Sequence, residues 1–290
     1  MGGAFLALQS YLFVPGAKEQ VIKKAITSDA DIVIIDLEDA VAEDEKENAR
    51  QLLLTINKEV NIQQRELCVR INGIDSEHWK PDLEAVYKAN INSVMLPKCE
   101  SKEDIEQLTR FAEEKCTLNF SIIPLIESAK GVLNAYEIAK SHHSIQRLAF
   151  GSVDYSLDIG VELSKEETEL LFARSMLINS SAAAGIESPI DCPYIDFNNE
   201  EGFIETVINA KKLGMKAKLL IHPKQIELLH KLYQHSEEEI NQSKTIVQLF
   251  EEALLNGKAA ISYEGKMIDY PVYKQAKRIL SRQNKIGNNN

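Results

Sequence analysis

IIPLIESAKG, residues 122–131, decides how the chain is read. With Ser121 before it, the apolar run SIIPLIE reads as a buried strand that contains Pro124 and stops on a carboxylate, Glu127. Ser128 then opens a helix. A charge placed where a buried strand ends is expensive unless something positive meets it. Outward from this stretch the same grammar recurs: a short β-branched run, a polar residue at its end, then an amphipathic stretch. The runs are YLFVPG (11–16), DIVIIDLE (31–38), LCVRING (67–73), SVMLPK (93–98), SIIPLIE (121–127), LAFGSVD (148–154), PIDCPYID (189–196) and KLLIHP (218–223). Between them, stretches such as EDIEQLTRFAEEK and EEGFIETVINAKKLG repeat apolar residues at three- and four-residue steps, and Gly214 stands where a helix C-cap is expected. Eight strands, each followed by a helix, predict an α/β fold of the (β/α)8 TIM-barrel class. A doubly wound open sheet is the alternative. The barrel is preferred because Arg70, Lys98, Glu127, Asp154 and His222 all fall at C-terminal strand ends, which a barrel gathers around one point.

A chain of 290 residues can hold such a barrel together with an appendage. Residues 1–235 are assigned to the barrel and 236–290 to a C-terminal helix–hairpin–helix extension. There SEEEINQSKTIVQLFEEALLNG reads as a long helix from near Ser236, and AAISYEGKMIDYP as a hairpin turning at Glu264-Gly265. VYKQAKRILSRQ reads as a last helix and NKIGNNN as a frayed tail. Hydrophobic residues make up 44% and charged ones 27%, the balance of a soluble globular protein. A net charge of −11 argues against nucleic acid or an anionic membrane surface as partner, and no apolar run is long enough to span a membrane. Cys68, Cys99, Cys116 and Cys192 form no CxxC pair and read as free thiols in a reducing compartment. AFLAL near the N-terminus has no basic region before it, so no signal peptide is expected and the cytoplasm is the expected location.

Glu127 and Asp154 are expected to close strands five and six, neighbours in a barrel, so their carboxylates should converge at its mouth. Two carboxylates held together repel unless a cation sits between them. Mg2+ suits the pair, because it takes one or two protein carboxylates and leaves its other positions to water or substrate oxygens. A helix N-cap or a salt-bridge partner is the alternative for each. Arg70 in VRING puts an always-charged fork in the mouth, suited to a carboxylate or a developing enolate oxygen. An ion pair with Asp36 or Glu38 is its alternative, and both can hold. In DLEDA (36–40), alternation sends Asp36 and Glu38 to one side, and they are read as acceptors standing behind Arg70 or behind metal-bound waters. Asp39 reads almost as well as a solvated loop residue. Lys18, Lys23 and Lys24 follow the FVPG turn on or near a helix start, where phosphates are favoured, although ordinary surface lysines look the same. His222 reads as a structural hydrogen-bonding residue. No histidine cluster has metal spacing, and no GxGxxG, Walker loop or GxSxG is present.

LFVPG, DLEDAV, VRIN, LPK, PLIESAKGVLNAYEIA, FGSVDYS, FARS, IHPKQIELL and GKMIDYP, in this order over residues 10–282, resemble the citrate lyase β-subunit-like family. That family lies within the HpcH/HpaI aldolase/citrate lyase superfamily and includes malyl-CoA and citramalyl-CoA lyases. The resemblance implies a Mg2+-dependent barrel that cleaves or forms a carbon–carbon bond beside a thioester. It implies that Glu127 and Asp154 hold the metal, with Glu127 also meeting substrate, and that Arg70 holds the keto acid and the thioester enolate. Phe13, Lys18 and Lys24 fall where relatives contact the acyl-CoA. Gly151 and Ser152 in FGSVDYS are placed with the substrate-binding residues. Asp269 in GKMIDYP matches an acid that a neighbouring subunit delivers to the site, which implies a homo-oligomer, a trimer or a multiple of one. Gln9 departs from the pattern, since many relatives carry arginine there, and one anion contact is thereby in doubt. IHP, where dedicated β subunits often read INP, leans toward a free CoA thioester over one on an acyl carrier protein. The expected function is cleavage of a 3-hydroxy-acyl thioester with a β-carboxylate, such as citryl-, malyl- or citramalyl-CoA, to a keto acid and an acetyl thioester, with no redox cofactor. The alternatives are a class II aldolase on free hydroxy-keto acids, which would want a histidine near strand one or two, and a non-catalytic subunit with the same fold.

Overall fold

The computed structural model describes residues 8–59, 66–115 and 120–287. Eight parallel strands close in sequence order into a barrel. They are β1 (Ser10–Pro15), β2 (Ile32–Asp36), β3 (Glu66–Arg70), β4 (Ser93–Leu96), β5 (Ser121–Ile126), β6 (Ala149–Phe150), β7 (Ile190–Asp191) and β8 (Ala217–Leu220). Alternate residues such as Leu12, Val14, Val33 and Ile35 pack against Ile22 and Leu53 of the surrounding helices. Each such fully buried side chain contributes about 1.5–3 kcal/mol. The register places Pro15 opposite Asp36, and Asp36 opposite Arg70, so the ends of the first three strands stand level.

Every expected strand is present, and all but β1 are shorter than their apolar runs. The placing of Asp154 at a strand end is corrected. Gly151 N–H makes a last bond to Ile126 O (2.9 Å) and Gly151 then caps the helix Ser152–Ile159. Asp154 therefore lies in the first turn of that helix, where the helix dipole favours an acid. The 189–196 run likewise keeps two residues in the ladder before the chain turns toward the helix Glu200–Leu213. After β5 the expected cap is in place: Ser128 Oγ accepts the Gly131 N–H at 3.1 Å.

Residues Gln9–Tyr233 form one compact unit, and the chain from Gln234 onward belongs to another. In the latter, Ser236 and Glu239 form a capping box at the head of the helix Glu237–Leu255. β9 (Ile261–Tyr263) and β10 (Lys266–Ile268) pair antiparallel across Glu264 and Gly265, both at positive φ (49° and 74°), as a two-residue hairpin turn requires. Phe250, Ile268 and Tyr273 make this unit's core. The helix Tyr270–Gly287 runs on through the NKIG stretch expected to fray, and residues 288–290 lie outside the described residues. Cys68, Cys99 and Cys192 are buried free thiols; Cys116, and AFLAL but for Leu8, lie outside the described residues. Among the described residues no helix is long and apolar enough to cross a membrane.

Candidate active site

Because Asp36 and Arg70 are cross-strand partners, the guanidinium meets the carboxylate edge-on. Arg70 Nε donates to Asp36 Oδ1 (2.8 Å) and Nη2 to Oδ2 (2.6 Å). Nη1 donates to Asp39 (3.3 Å) and lies 2.9 Å from Glu38 Oε2. Asp36 also accepts the backbone N–H groups of Glu38 and Ala40, which curls the DLEDA loop over the strand ends. The Arg70 guanidinium carbon sits 5.0 Å from the centre of the Phe13 ring. Burial alone would lower the Arg70 pKa, but the three acids raise it above its ordinary value. The ion-pair reading of Arg70 thus holds, with Asp36 and Glu38 as the expected acceptors. Asp39 is drawn in as well. Three of the five guanidinium N–H groups are committed, which leaves two for a ligand.

Glu38 stands between two cations. Its Oε1 accepts from Lys98 Nζ at 2.6 Å. Its Oε2 faces Arg70 off the line of the N–H bonds, so this buried oxygen has a charge contact but no hydrogen bond. Burial pushes the Glu38 carboxyl up, against the pull of Arg70 and Lys98. Lys98 follows β4 at a φ of 50°, a left-handed conformation that side-chain-bearing residues rarely adopt. This backbone aims its N–H at Glu127 Oε1, 2.7 Å away.

Glu127 follows β5 and is 4% exposed. Burial first, then Glu38, pushes its carboxyl up to about 8; Asp154 pushes the same way, and the Lys98 N–H and Arg70 oppose. Gly151, across on the neighbouring strand's end, lies so close that a Cβ there would stand 2.5 Å from Glu127 Oε2. Ser152 is buried at the head of the helix that carries the half-buried Asp154. Behind the acids runs a strut that sequence reasoning missed. The buried Lys46 Nζ donates to the carbonyls of Leu37 (3.0 Å) and Glu38 (3.2 Å) and to Asn72 Oδ1 (2.7 Å). Asp82 in turn accepts from Asn72 and Arg50. In the sequence, Lys46 and Asp82 carry no motif, and the Asn in VRIN is the one available signal.

Residues 9–223 match the HpcH/HpaI aldolase/citrate lyase family. The chain belongs to that family. It is 37% identical over 280 residues to the citrate lyase subunit beta of Escherichia coli (strain K12), covering 94% of this chain and 92% of that one. It is 30% identical over 292 residues to the mitochondrial citramalyl-CoA lyase of Rattus norvegicus, covering 96% and 86%. A crystal structure of CitE from Mycobacterium tuberculosis in complex with magnesium, acetoacetate and coenzyme A resembles it with a TM-score of 0.80 at 28% identity, over 94% of this chain and 97% of that one. The family, the barrel and the lyase class expected from the motifs are those of these relatives.

The acid pair of this HpcH/HpaI chain fits a hard divalent cation. The donors are carboxylate oxygens, Glu127 is a buried acid whose proton a cation would displace, and Glu38 Oε2 is an orphaned acceptor for an ion-bound water. Gly151→Ala tests the fit, since overpacking at about 1–3 kcal/mol would move Glu127 and spare the barrel. Mg2+ affinity in a calorimetric titration should fall about tenfold or more. Undiminished affinity would show that Glu127 is not held there for a metal.

The lysines are placed differently from the expectation. Lys18 does precede the helix Glu19–Ile26, but Lys23 and Lys24 lie in its last turn, where the dipole favours cations over anion binding. Lys23 and Lys24 are the fifth and sixth residues of the helix, more than one turn from its start. Lys23 pairs with Glu19 (2.7 Å), while Lys18 and Lys24 are exposed. His222 has the structural part expected: Nδ1 accepts the Lys224 N–H (3.1 Å) and the ring stacks on Phe197. Spacing showed no histidine cluster, yet the fold brings the exposed Glu43 and Glu77 and the half-buried His78 together, with ligand atoms within 4.8 Å. Asp269, in the other unit, caps the helix Tyr270–Gly287 by accepting the Val272 N–H at 3.2 Å. That role was legible as an acid before YPV and had not been read.

Proposed function

We propose that this chain is a Mg2+-dependent carbon–carbon lyase that cleaves a 3-hydroxy-acyl-CoA thioester bearing a β-carboxylate to a keto acid and an acetyl thioester. The observation that carries this reading is Glu127, a buried acid raised to about 8 beside Asp154 and across from the Arg70 fork. Mg2+ held by Glu127 and Asp154 would supply positive charge to the oxygens on which negative charge develops. Arg70 binds the substrate carboxylate with its two remaining N–H groups and stabilises the enolate oxygen. Phe13 covers the guanidinium face and, with the buried Ser152 and Gly151, keeps water from the reacting centre. Asp36 and Glu38 fix the Arg70 fork in orientation. The acid that protonates the enolate carbon is assigned to Asp269 of a second copy of the chain. In this reading residues 1–235 act as the catalytic barrel and 236–290 as an extension that completes a neighbour's site. Exposed Met267 (66%) and Tyr270 (51%), which flank Asp269, support an interface there. We place the chain in the cytoplasm as a homo-oligomer, trimeric or a multiple. Lys18 is assigned to the CoA phosphates; Lys24, in a last helical turn, is the weaker candidate for the same part.

Purified chain with Mg2+ and citryl-, malyl- and citramalyl-CoA should release a keto acid from at least one, and a chelator should stop the release. Turnover of free hydroxy-keto acids alone would replace the reading with an aldolase. Arg70→Lys keeps the charge but gives a point donor that cannot span two oxygens. Its kcat should fall about 100-fold or more, as when an oxyanion donor is lost. Wild-type kinetics in that variant would show that the fork is not used.

A further inference from the structure

The strut behind the acids begins at a buried cation. Lys46 is 7% exposed and opens the helix Lys46–Glu59. Two costs attach to it there: the dipole at a helix start disfavours a cation, and a buried charge is expensive without a charged partner. Its three ammonium N–H groups are all spent, and the acceptors are two backbone carbonyls and an amide oxygen, none of them charged. What these bonds hold is the segment directly after Asp36. The Leu37 N–H donates to Arg70 O (2.9 Å), and the Leu37 carbonyl accepts from Lys46 and from Asn72 Nδ2 (3.0 Å). Glu38 is gripped likewise, its N–H on Asp36 Oδ1 (2.9 Å) and its carbonyl on Lys46. Asn72 is itself fixed, since its backbone N–H and its Nδ2 both donate to Asp82 Oδ2 (2.9 and 2.6 Å). Lys46 thus ties the segment that carries Asp36 and Glu38 to the one that follows Arg70. It brings positive charge to the acids without occupying a carboxylate oxygen, so those oxygens stay on Arg70.

We propose that Lys46 is a positioning residue for the lyase reaction. It fixes the Leu37–Glu38 backbone, that backbone fixes the Asp36 and Glu38 carboxylates, and the carboxylates aim the Arg70 fork. This rests on the lyase reading above, in which Arg70 takes the substrate carboxylate and the enolate oxygen. The alternative is a staple that joins helix to barrel and serves stability alone. The two differ in how Lys46 depends on Arg70. A fork displaced by about 1 Å loses about 100-fold in rate, but only where there is a fork to displace. A staple's contribution does not depend on which side chain stands at position 70, since effects of independent residues multiply and effects of residues that act as a unit do not.

Lys46→Met keeps an unbranched side chain of similar length and removes the donors and the charge. With whichever of citryl-, malyl- and citramalyl-CoA the wild type cleaves, its kcat/KM should fall about 10- to 100-fold. In an Arg70→Lys background the same substitution should cost less than about threefold. A second readout needs no turnover. In calorimetric titrations Mg2+ affinity should stay within about threefold of wild type, because Lys46 holds the Arg70 side of the site. Affinity of the Mg2+-loaded protein for the keto acid that the wild type releases should fall about tenfold or more. Lys46→Gln, which keeps an N–H donor on a shorter arm, goes through the same cycle if Lys46→Met does not fold. An undiminished loss in the Arg70→Lys background would overturn the proposal and leave Lys46 a staple. Equal losses of Mg2+ and keto-acid affinity, or no loss of activity in either Lys46 variant, would overturn it too. Each of these outcomes leaves the lyase reading standing. A wild type that releases keto acid from none of the three thioesters would refute that reading, and the proposal with it.

Discussion

Glu127→Gln should abolish Mg2+-dependent turnover and leave the barrel folded. A metal ion contributes several kcal/mol of charge stabilisation in the transition state, so losing it lowers the rate roughly a thousandfold or more. The fold should survive because a buried carboxylate near Glu38 and Asp154 is itself a burden, and the amide keeps its shape without its charge. The pH dependence has a definite sign. The native chain holds Glu127 at about 8, above the ordinary 4.5 for a glutamate, so the folded state binds a proton that the unfolded chain releases. The stability this gives is present below about pH 4.5 and is lost as pH rises through about 8. Melting of the metal-free wild type should therefore fall more steeply than that of Glu127→Gln between about pH 5 and pH 9. Mg2+ should restore the wild type most at the upper end, where no proton has to leave. Asp154→Asn should lose turnover to a similar degree. Full activity in either variant, or activity untouched by a chelator, would sink the metal assignment.

What made the fold legible was repetition of one local pattern. Eight β-branched runs, nearly all closed by a polar residue, leave few topologies open, and parallel closure follows from the helices between them. Strand lengths were less legible, because apolar residues continue past the last ladder bond. At LAFGSVD the run reads as strand to Asp154, yet Gly151 starts a helix as soon as its N–H has reached Ile126. For Arg70 the sequence left an ion pair and a ligand-binding fork both open. The level ends of β2 and β3 bring the ion pair about, and an arginine has donors enough for both. Lys98 was seen at a strand end but given no part, since nothing in LPK announces a positive φ or a Glu38 from two strands away. The Lys46–Asn72–Asp82 strut was out of reach for the same reason: residues 46, 72 and 82 are neighbours only after β2 and β3 have paired.

Mixing inactive Asp269→Asn chains with inactive Glu127→Gln chains should restore activity. The capping role of Asp269 makes asparagine the informative substitution. Asparagine caps a helix about as well as aspartate, so the Asp269 bond to Val272 and the helix Tyr270–Gly287 should persist. Asp269→Ala would cost about 1 kcal/mol of cap and confuse stability with chemistry. What Asp269→Asn removes is the proton, and the lyase rate should drop about a hundredfold or more while Mg2+ affinity stays near wild type. If one chain supplies Glu127 and another Asp269, a randomly mixed oligomer of equal parts has both groups intact in about a quarter of its sites. If both groups serve from the same chain, no site in the mixture is whole. Partial recovery on mixing, at a level set by the ratio of the two variants, is therefore the expected outcome. No recovery, with subunit exchange confirmed by mass, would leave Asp269 as the cap of its own helix and move the enolate's proton donor to the barrel.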